Sequence, residues 1–218
     1  MKPIKKQNLV VFDFDGTLAK TIDNPEWIYR ELALKYNLKA FTPSGIKANR
    51  HLPYRERLKV HDISLLKMPF MIRKTRRMVT HLIKDAKPFP GIKDVLLTLK
   101  DEGYLISIIS SNTKKNIQLF NALNDMPSFD MISEKASFFG KAKKMRKQIK
   151  RLSPQHVIYV GDEQRDIEAM RSLNLPIISV TWGHDDRALL KEKTDYLCDK
   201  PEDLTAIIFN HFHKEVSQ

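Results

Sequence analysis

The chain has 218 residues, 42% hydrophobic and 29% charged, enough for one sizeable core or for a core domain with a small insert. Its single cysteine, Cys198, excludes an intrachain disulfide and suits a reducing compartment. No stretch reaches the roughly 18 apolar residues of a membrane span, and a formal net charge of +12 favours anionic partners through long-range attraction.

Four apolar residues, Leu9 to Phe12, separate the basic N-terminal residues from Asp13. That run is too short for a signal peptide, and the expectation is a cytoplasmic protein. The same residues, mostly β-branched or aromatic, predict a short buried strand. Asp13 and Asp15 follow, then Gly16-Thr17, with Gly16 permitting a sharp turn. Carboxylates just past the C-terminal end of a buried strand stand where open α/β sheets bind ligands. Their desolvation is costly unless something such as a divalent cation compensates it.

From Thr21 to about Pro88 the apolar spacing is helical. A helix is predicted over 25–36, with Asn24 as N-cap, Pro25 in the first turn and Asn37 at the end. A looser stretch at Thr42-Pro43-Ser44-Gly45 precedes predicted helices over 54–60 and 65–83, and no period-2 pattern interrupts them. Pro88-Phe89-Pro90-Gly91 is a stiff junction. Strands and helices then alternate. A helix over 92–102, with Gly103 just past its end, leads to a buried strand over 104–109 that stops at Ser110-Ser111-Asn112. A helix over 114–123, a short strand over 129–133, a loop at Phe138-Phe139-Gly140 and a strongly basic helix over 141–152 follow. The strand over 156–160 runs into Gly161-Asp162-Glu163-Gln164-Arg165-Asp166, and a helix covers 167–173. Strands over 177–180 and 195–198 and a helix over 202–212 close the chain.

Near-continuous apolar strands alternating with helices predict a parallel sheet covered on both faces. The fold class is α/β: a doubly wound, Rossmann-like core at 1–20 and 88–218, interrupted after its first strand by an all-helical insert at 21–87. In such a sheet the polar strand ends lie on one edge, so Asp13 and Asp15, Ser110 to Asn112, and Asp162 to Asp166 converge. Lys141 opens a helix after a glycine and can aim an ammonium at the same point. The set suits phosphoryl transfer. Asp13 can attack phosphorus to give an aspartyl-phosphate, and Asp15 can protonate the leaving alcohol and then activate water. Mg²⁺ held by Asp13 and Asp162 would offset the repulsion between carboxylate and phosphate. Ser110 and nearby backbone N–H groups, with Lys141, can bind phosphate oxygens.

Asp13-Phe14-Asp15-Gly16-Thr17-Leu18 after an apolar strand resembles the first motif of the haloacid dehalogenase superfamily, in its phosphatase branch. Ile108-Ile109-Ser110-Ser111-Asn112 resembles the second, with Ser110 in the Ser/Thr position and Ser111 as the alternative. Phe139-Gly140-Lys141 resembles the third, with Lys143 and Lys144 close by, and the segment from Val160 to Asp166 the fourth. The resemblance covers essentially the whole core. It implies a Mg²⁺ centre drawn from Asp13, Asp15, Asp162 and Asp166, and a phosphate-binding set of Ser110, Ser111, Asn112 and Lys141. It further implies that the insert is similar to a C1-type cap, which in that family closes over the core and contacts substrate. The implied function is that of a phosphoglycolate phosphatase-like, Mg²⁺-dependent hydrolase of a small anionic phosphorylated metabolite. The alternatives are a β-phosphoglucomutase-type phosphotransferase, or a non-catalytic binder of nucleic acid or an acidic protein. The 2-haloacid dehalogenase branch has no need of the second aspartate, and Asp15 is present.

The sixteen basic and six acidic residues from Lys20 to Pro88 place +10 of the net +12 in the insert and its Lys20 flank. Two patches stand out: Arg50, His51, Arg55 and Arg57, and Arg73, Lys74, Arg76 and Arg77. Arg50, Arg55, Arg73 and Arg77 are candidates for reading a second anionic group on the substrate, for which the planar guanidinium suits bidentate contact. Aromatic residues do not interleave strongly with these patches, which gives poor support to a stacking platform for single-stranded nucleic acid. His184, Asp185 and Asp186 read as a solvated loop rather than a metal site, and Trp27 and Trp182 as packing residues. The expected assembly is a monomer or homodimer.

Overall fold

The computed structural model describes residues 7–21, 26–39, 42–136 and 140–216. The cap expected at Asn24 and Pro25 and the loop expected at Phe138-Phe139 lie outside them. The strands are β1 (Leu9–Phe12), β2 (Ala19–Lys20), β3 (Lys87–Pro88), β4 (Leu105–Ile109), β5 (Met131–Ser133), β6 (Val157–Gly161), β7 (Ile177–Val180) and β8 (Tyr196–Cys198). Six of them form one parallel sheet in the order β5-β4-β1-β6-β7-β8.

All four side chains of β1 are fully buried, because a central parallel strand has helices on both faces. Alternate residues point to opposite faces. Val10 and Phe12 join the cluster built with α5 (Ile92–Asp101), α6 (Lys114–Leu123) and α10 (Leu204–Val216). Leu9 and Val11 join a second cluster with α7 (Lys141–Leu152), α8 (Gln164–Arg171) and α9 (Arg187–Lys191). Phe12 pairs with Ile108 on one side and Val160 on the other, so the C-terminal ends of β1, β4 and β6 are level. The strand order reverses about β1, which puts the crevice for a ligand at this edge.

Between β2 and β3 lie four helices, α1 (Glu26–Tyr36), α2 (Pro43–Ala48), α3 (Tyr54–Val60) and α4 (Met68–Leu82). Ile28 and Leu32 of α1 and Met71, Met78 and Val79 of α4 are buried in a cluster of their own. As expected, α1 stops at Asn37, whose φ of 51° is left-handed, and α5 ends before Gly103, at φ 80°.

Three features depart from the sequence reading. The looser stretch at 42–45 begins α2: the Thr42 hydroxyl accepts from Gly45 N at 3.1 Å and Pro43 occupies the first turn. Those residue types suit a helix start as well as a loop. A two-stranded antiparallel ribbon pairs Ala19 with Pro88 and Lys20 with Lys87, too short to show any alternation. Helix α9 follows Asp186, whose side chain accepts from Ala188 N at 3.2 Å. Among the described residues no helix is long and apolar enough to cross a membrane.

Candidate active site

The chain leaves β1 at Asp13 and turns at once. Phe14 is fully buried and meets Phe120 edge to face at 5.1 Å, which pins the turn to the core. Its carbonyl accepts from Leu18 N and Ala19 N, each at 3.0 Å. The flanking carboxylates are thereby held apart and given different partners. Asp13 Oδ1 accepts from Phe14 N at 2.7 Å, and its Oδ2 accepts from Lys141 Nζ at 2.5 Å. Asp15 accepts instead from Asn112 Nδ2 at 3.0 Å and Ser110 Oγ at 3.3 Å.

Lys141 is the first residue of α7 and is buried. A cation there opposes both the helix dipole and its own desolvation. Asp13 and Asp166, both in contact with its Nζ, reverse the balance and push the lysine above its ordinary range despite burial. Asp166 sits in the first turn of α8, where an acid suits the dipole, and its Oδ2 accepts from Glu163 N at 3.3 Å. Burial raises its carboxyl, with Lys141 pulling the other way. Burial likewise pushes Asp13 up to about 8, against the pull of Lys141.

Asp162, at the end of β6, has a third environment. Thr17 Oγ1 donates to Oδ1 at 2.7 Å, while His184 N at 2.8 Å and His184 Nδ1 at 2.7 Å reach Oδ2. Burial would raise this carboxyl, but His184 and Thr17 hold it below the ordinary value. Burial opposes a charged imidazole at His184, and Asp162 outweighs it, lifting the ring to about 10. A side chain at Gly16, whose φ is 82°, would collide with Asp162 and His184, and one at Gly183 would collide with Asp162. Both glycines let the backbone close around this carboxylate.

Asp13, Asp162 and Asp166 each offer a carboxylate oxygen, and these oxygens lie within 4.8 Å of one another. Three buried carboxylates presenting only oxygen suit a hard divalent cation, so the residues fit Mg²⁺. The side chain of Asp15 is not part of this group.

A cavity of about 320 Å³ lies over the same edge, between the sheet and the helical insert. Asp13, Asp15, Ser111, Asn112, Glu163, Arg165 and His184 line its core side. Ser110, Lys141, Asp162 and Asp166 do not line it. Each instead touches a residue that does: Ser110 touches Asp15, Lys141 touches Asp13, Asp166 accepts from Glu163 N, and Asp162 meets His184.

None of the four arginines expected to read the substrate lines the cavity. Arg50 donates to the carbonyls of His184 and Gly183, both at 2.6 Å, and of Asp185 at 3.3 Å. Arg55 lies over the Tyr54 ring at 5.7 Å, and Arg73 and Arg77 are exposed. Arg76, from the same patch, is the one that reaches in, donating to Ser111 O at 2.5 Å and Ala136 O at 3.3 Å. Helical spacing carried the signal: Met68, Met71, Ile72, Thr75, Arg76 and Val79 share one face of α4, whereas reading the basic patch as a block obscures it.

The loop after β7 is a further correction. Asp185 is fully buried, pairs with Arg57 at 2.7 Å and accepts from Gln164 N at 2.7 Å, while Asp186 caps α9. Trp182 packs against the core and also donates to Thr17 O at 3.1 Å, whereas Trp27 is 40% exposed.

Comparisons with known proteins agree with this geometry. The chain is 28% identical over 199 residues to a phosphoglycolate phosphatase of Synechococcus elongatus, covering 89% of this chain and 94% of that protein. It is 26% identical over 219 residues to pyrophosphatase PpaX of Bacillus mycoides, covering 93% and 97%. A solved haloacid dehalogenase-like family hydrolase of Streptococcus pneumoniae shares the fold with a TM-score of 0.71 at 20% identity, covering 93% of this chain and 98% of that one. The family model for haloacid dehalogenase-like hydrolases matches residues 10–180, and with the site those residues build, the chain belongs to the haloacid dehalogenase-like hydrolases as an enzyme whose relatives are phosphatases.

Proposed function

We propose that this hydrolase is a phosphatase that cleaves a small phosphate monoester through an aspartyl-phosphate on Asp13. The observation that carries the reading is the division of labour between Asp13 and Asp15. Both border one cavity, yet one is held by a buried ammonium and the other by neutral hydrogen-bond donors. Two carboxylates in contrasting environments suit a nucleophile and a general acid–base.

An oxygen of Asp13 attacks phosphorus, forming one P–O bond as the bond to the ester oxygen breaks. Asp15 delivers its proton to the departing alkoxide. Asp15 then takes a proton from water, whose oxygen attacks the phosphoryl group. The bond to Asp13 breaks, releasing inorganic phosphate and restoring the carboxylate. The attacking oxygen must be unprotonated, and Lys141 favours that state. Ser110, Ser111, Asn112 and Lys141 are the groups for the phosphate oxygens. Asp13, Asp162 and Asp166 would hold Mg²⁺, which would supply positive charge against the phosphate dianion. Residues 21–87 act as a cap that covers the reacting centre, a role supported by the contacts of Arg50 and Arg76 with core carbonyls.

The test is phosphate release from a panel including acetyl phosphate and phosphoglycolate. Turnover is expected to require Mg²⁺, to stop with a chelator and to return when Mg²⁺ is restored. Asp13→Asn should fall to background, and Asp15→Asn should lose roughly a hundred- to ten-thousandfold in kcat. Turnover that survives Asp13→Asn overturns the reading.

A further inference from the structure

The cavity has two unlike walls. The core side presents carboxylates, an amide, a hydroxyl, a guanidinium and an imidazole. The insert side presents Leu32, Ile63, Met68, Met71, Ile72 and Val79, and the polar residues among its described lining are Tyr29, Thr75 and Arg76. This face is apolar although the insert carries most of the chain's positive charge.

The nearby guanidinium groups are turned onto the protein. Arg76 donates to the carbonyls of Ser111 and Ala136, and Arg50 to those of Gly183, His184 and Asp185. Arg57 pairs with Asp185, and Arg165 with Glu163. A carboxylate on the leaving group would be pressed against branched aliphatic and thioether side chains, and the Arg76 guanidinium beside them is already engaged by two carbonyls, so its lost hydration is poorly compensated. An apolar body would gain from the same contact, and methionines adapt to its shape.

We infer that the phosphate ester this site takes has an uncharged leaving alcohol with a mainly apolar body, rather than a short carboxylated one. The inference rests on the phosphatase reading and narrows it. The cavity volume is at the low end for ligand sites, roughly 300–1,000 Å³, so the body is small: a branched or short linear alkyl chain or one aromatic ring.

The experiment measures kcat/KM for ethyl, butyl and hexyl phosphate, whose leaving alcohols have similar reactivity, beside phosphoglycolate and acetyl phosphate. The expected result is a rise of roughly fourfold per methylene until the cavity is full, with hexyl phosphate preferred to phosphoglycolate. Ile72→Asn, a half-buried position on the cavity wall, should lower the hexyl-to-ethyl ratio severalfold; because a ratio is read, any general loss cancels. A flat alkyl series with phosphoglycolate preferred, while acetyl phosphate is still hydrolysed, overturns the inference and leaves the phosphatase reading standing. No phosphate release from any of these compounds, acetyl phosphate included, overturns the phosphatase reading and this inference with it.

Discussion

Lys141 owes its place to two carboxylates. Its ammonium is buried at a helix N-terminus, and contact with Asp13 and Asp166 makes that tolerable. Removing one partner of a buried ion pair leaves uncompensated charge. Lys141→Ala is therefore expected to lower unfolding free energy by about 3–5 kcal/mol in urea titrations, besides lowering turnover. Asp185 gives a pH signature. Burial and Glu163 raise its carboxyl to about 6, against Arg57 and the Gln164 N–H. The folded chain then binds this proton more tightly than the unfolded chain, whose carboxyl titrates near 3.8. Stability from this group is present below about pH 4 and is lost as pH rises through 6. Wild type should fall relative to Asp185→Asn by up to about 3 kcal/mol between pH 4 and 6.5, read from urea midpoints. Asp13, Asp15, Asp162 and Asp166 were legible because strand ends gather polar groups. Thr17 and His184 were not, because their approach to Asp162 depends on two bare glycine Cα positions rather than on any spacing in the sequence.

At the scale of elements, the joint between helices and sheet is made largely by arginine. Arg50 and Arg57, on the chain around α3, grip the loop from Gly183 to Asp185 that also presents His184 to Asp162. The Arg57–Asp185 pair is shielded from solvent, with side chains 18% and 0% exposed, so screening weakens it little. A double-mutant cycle of Arg57→Ala and Asp185→Ala should give a coupling of roughly 0.5–3 kcal/mol in unfolding, and a value near zero would show that the contact is energetically idle. The long strands and helices of the core were readable from period and length. The two-residue strands β2 and β3 were not, because they lack the apolar run that marks the short strands β1, β5, β7 and β8, and the five-residue helix α9 is too short to show a helical period. Charge patterning located the insert's surface but not its working face, which apolar spacing along α4 marks instead.

Across the whole molecule, charge is segregated. The segment from Lys20 to Pro88 carries +10 of the net +12, nearly all of it on the insert that roofs the cavity, with Arg30, Arg55, Arg73 and Arg77 exposed. Exposed charge that makes no contact with a ligand still bends the approach of a dianion. For a phosphate monoester, kcat/KM is expected to fall severalfold between low salt and physiological ionic strength while kcat at saturation holds, as stopped-time phosphate release would show. Equal loss in both would place the salt effect in the chemical step instead.

The ribbon that pairs Ala19–Lys20 with Lys87–Pro88 has a consequence for descent as well as for shape. The two ends of the helical insert leave the sheet side by side, about 4.8 Å apart as neighbouring strands are. Any segment whose ends are equally close can be grafted onto the same stump without disturbing β1, which holds Asp13 in place. The core that carries Asp13 and the helical insert are thus joined along the chain at this one place, and a lineage can exchange the insert while inheriting β1 intact.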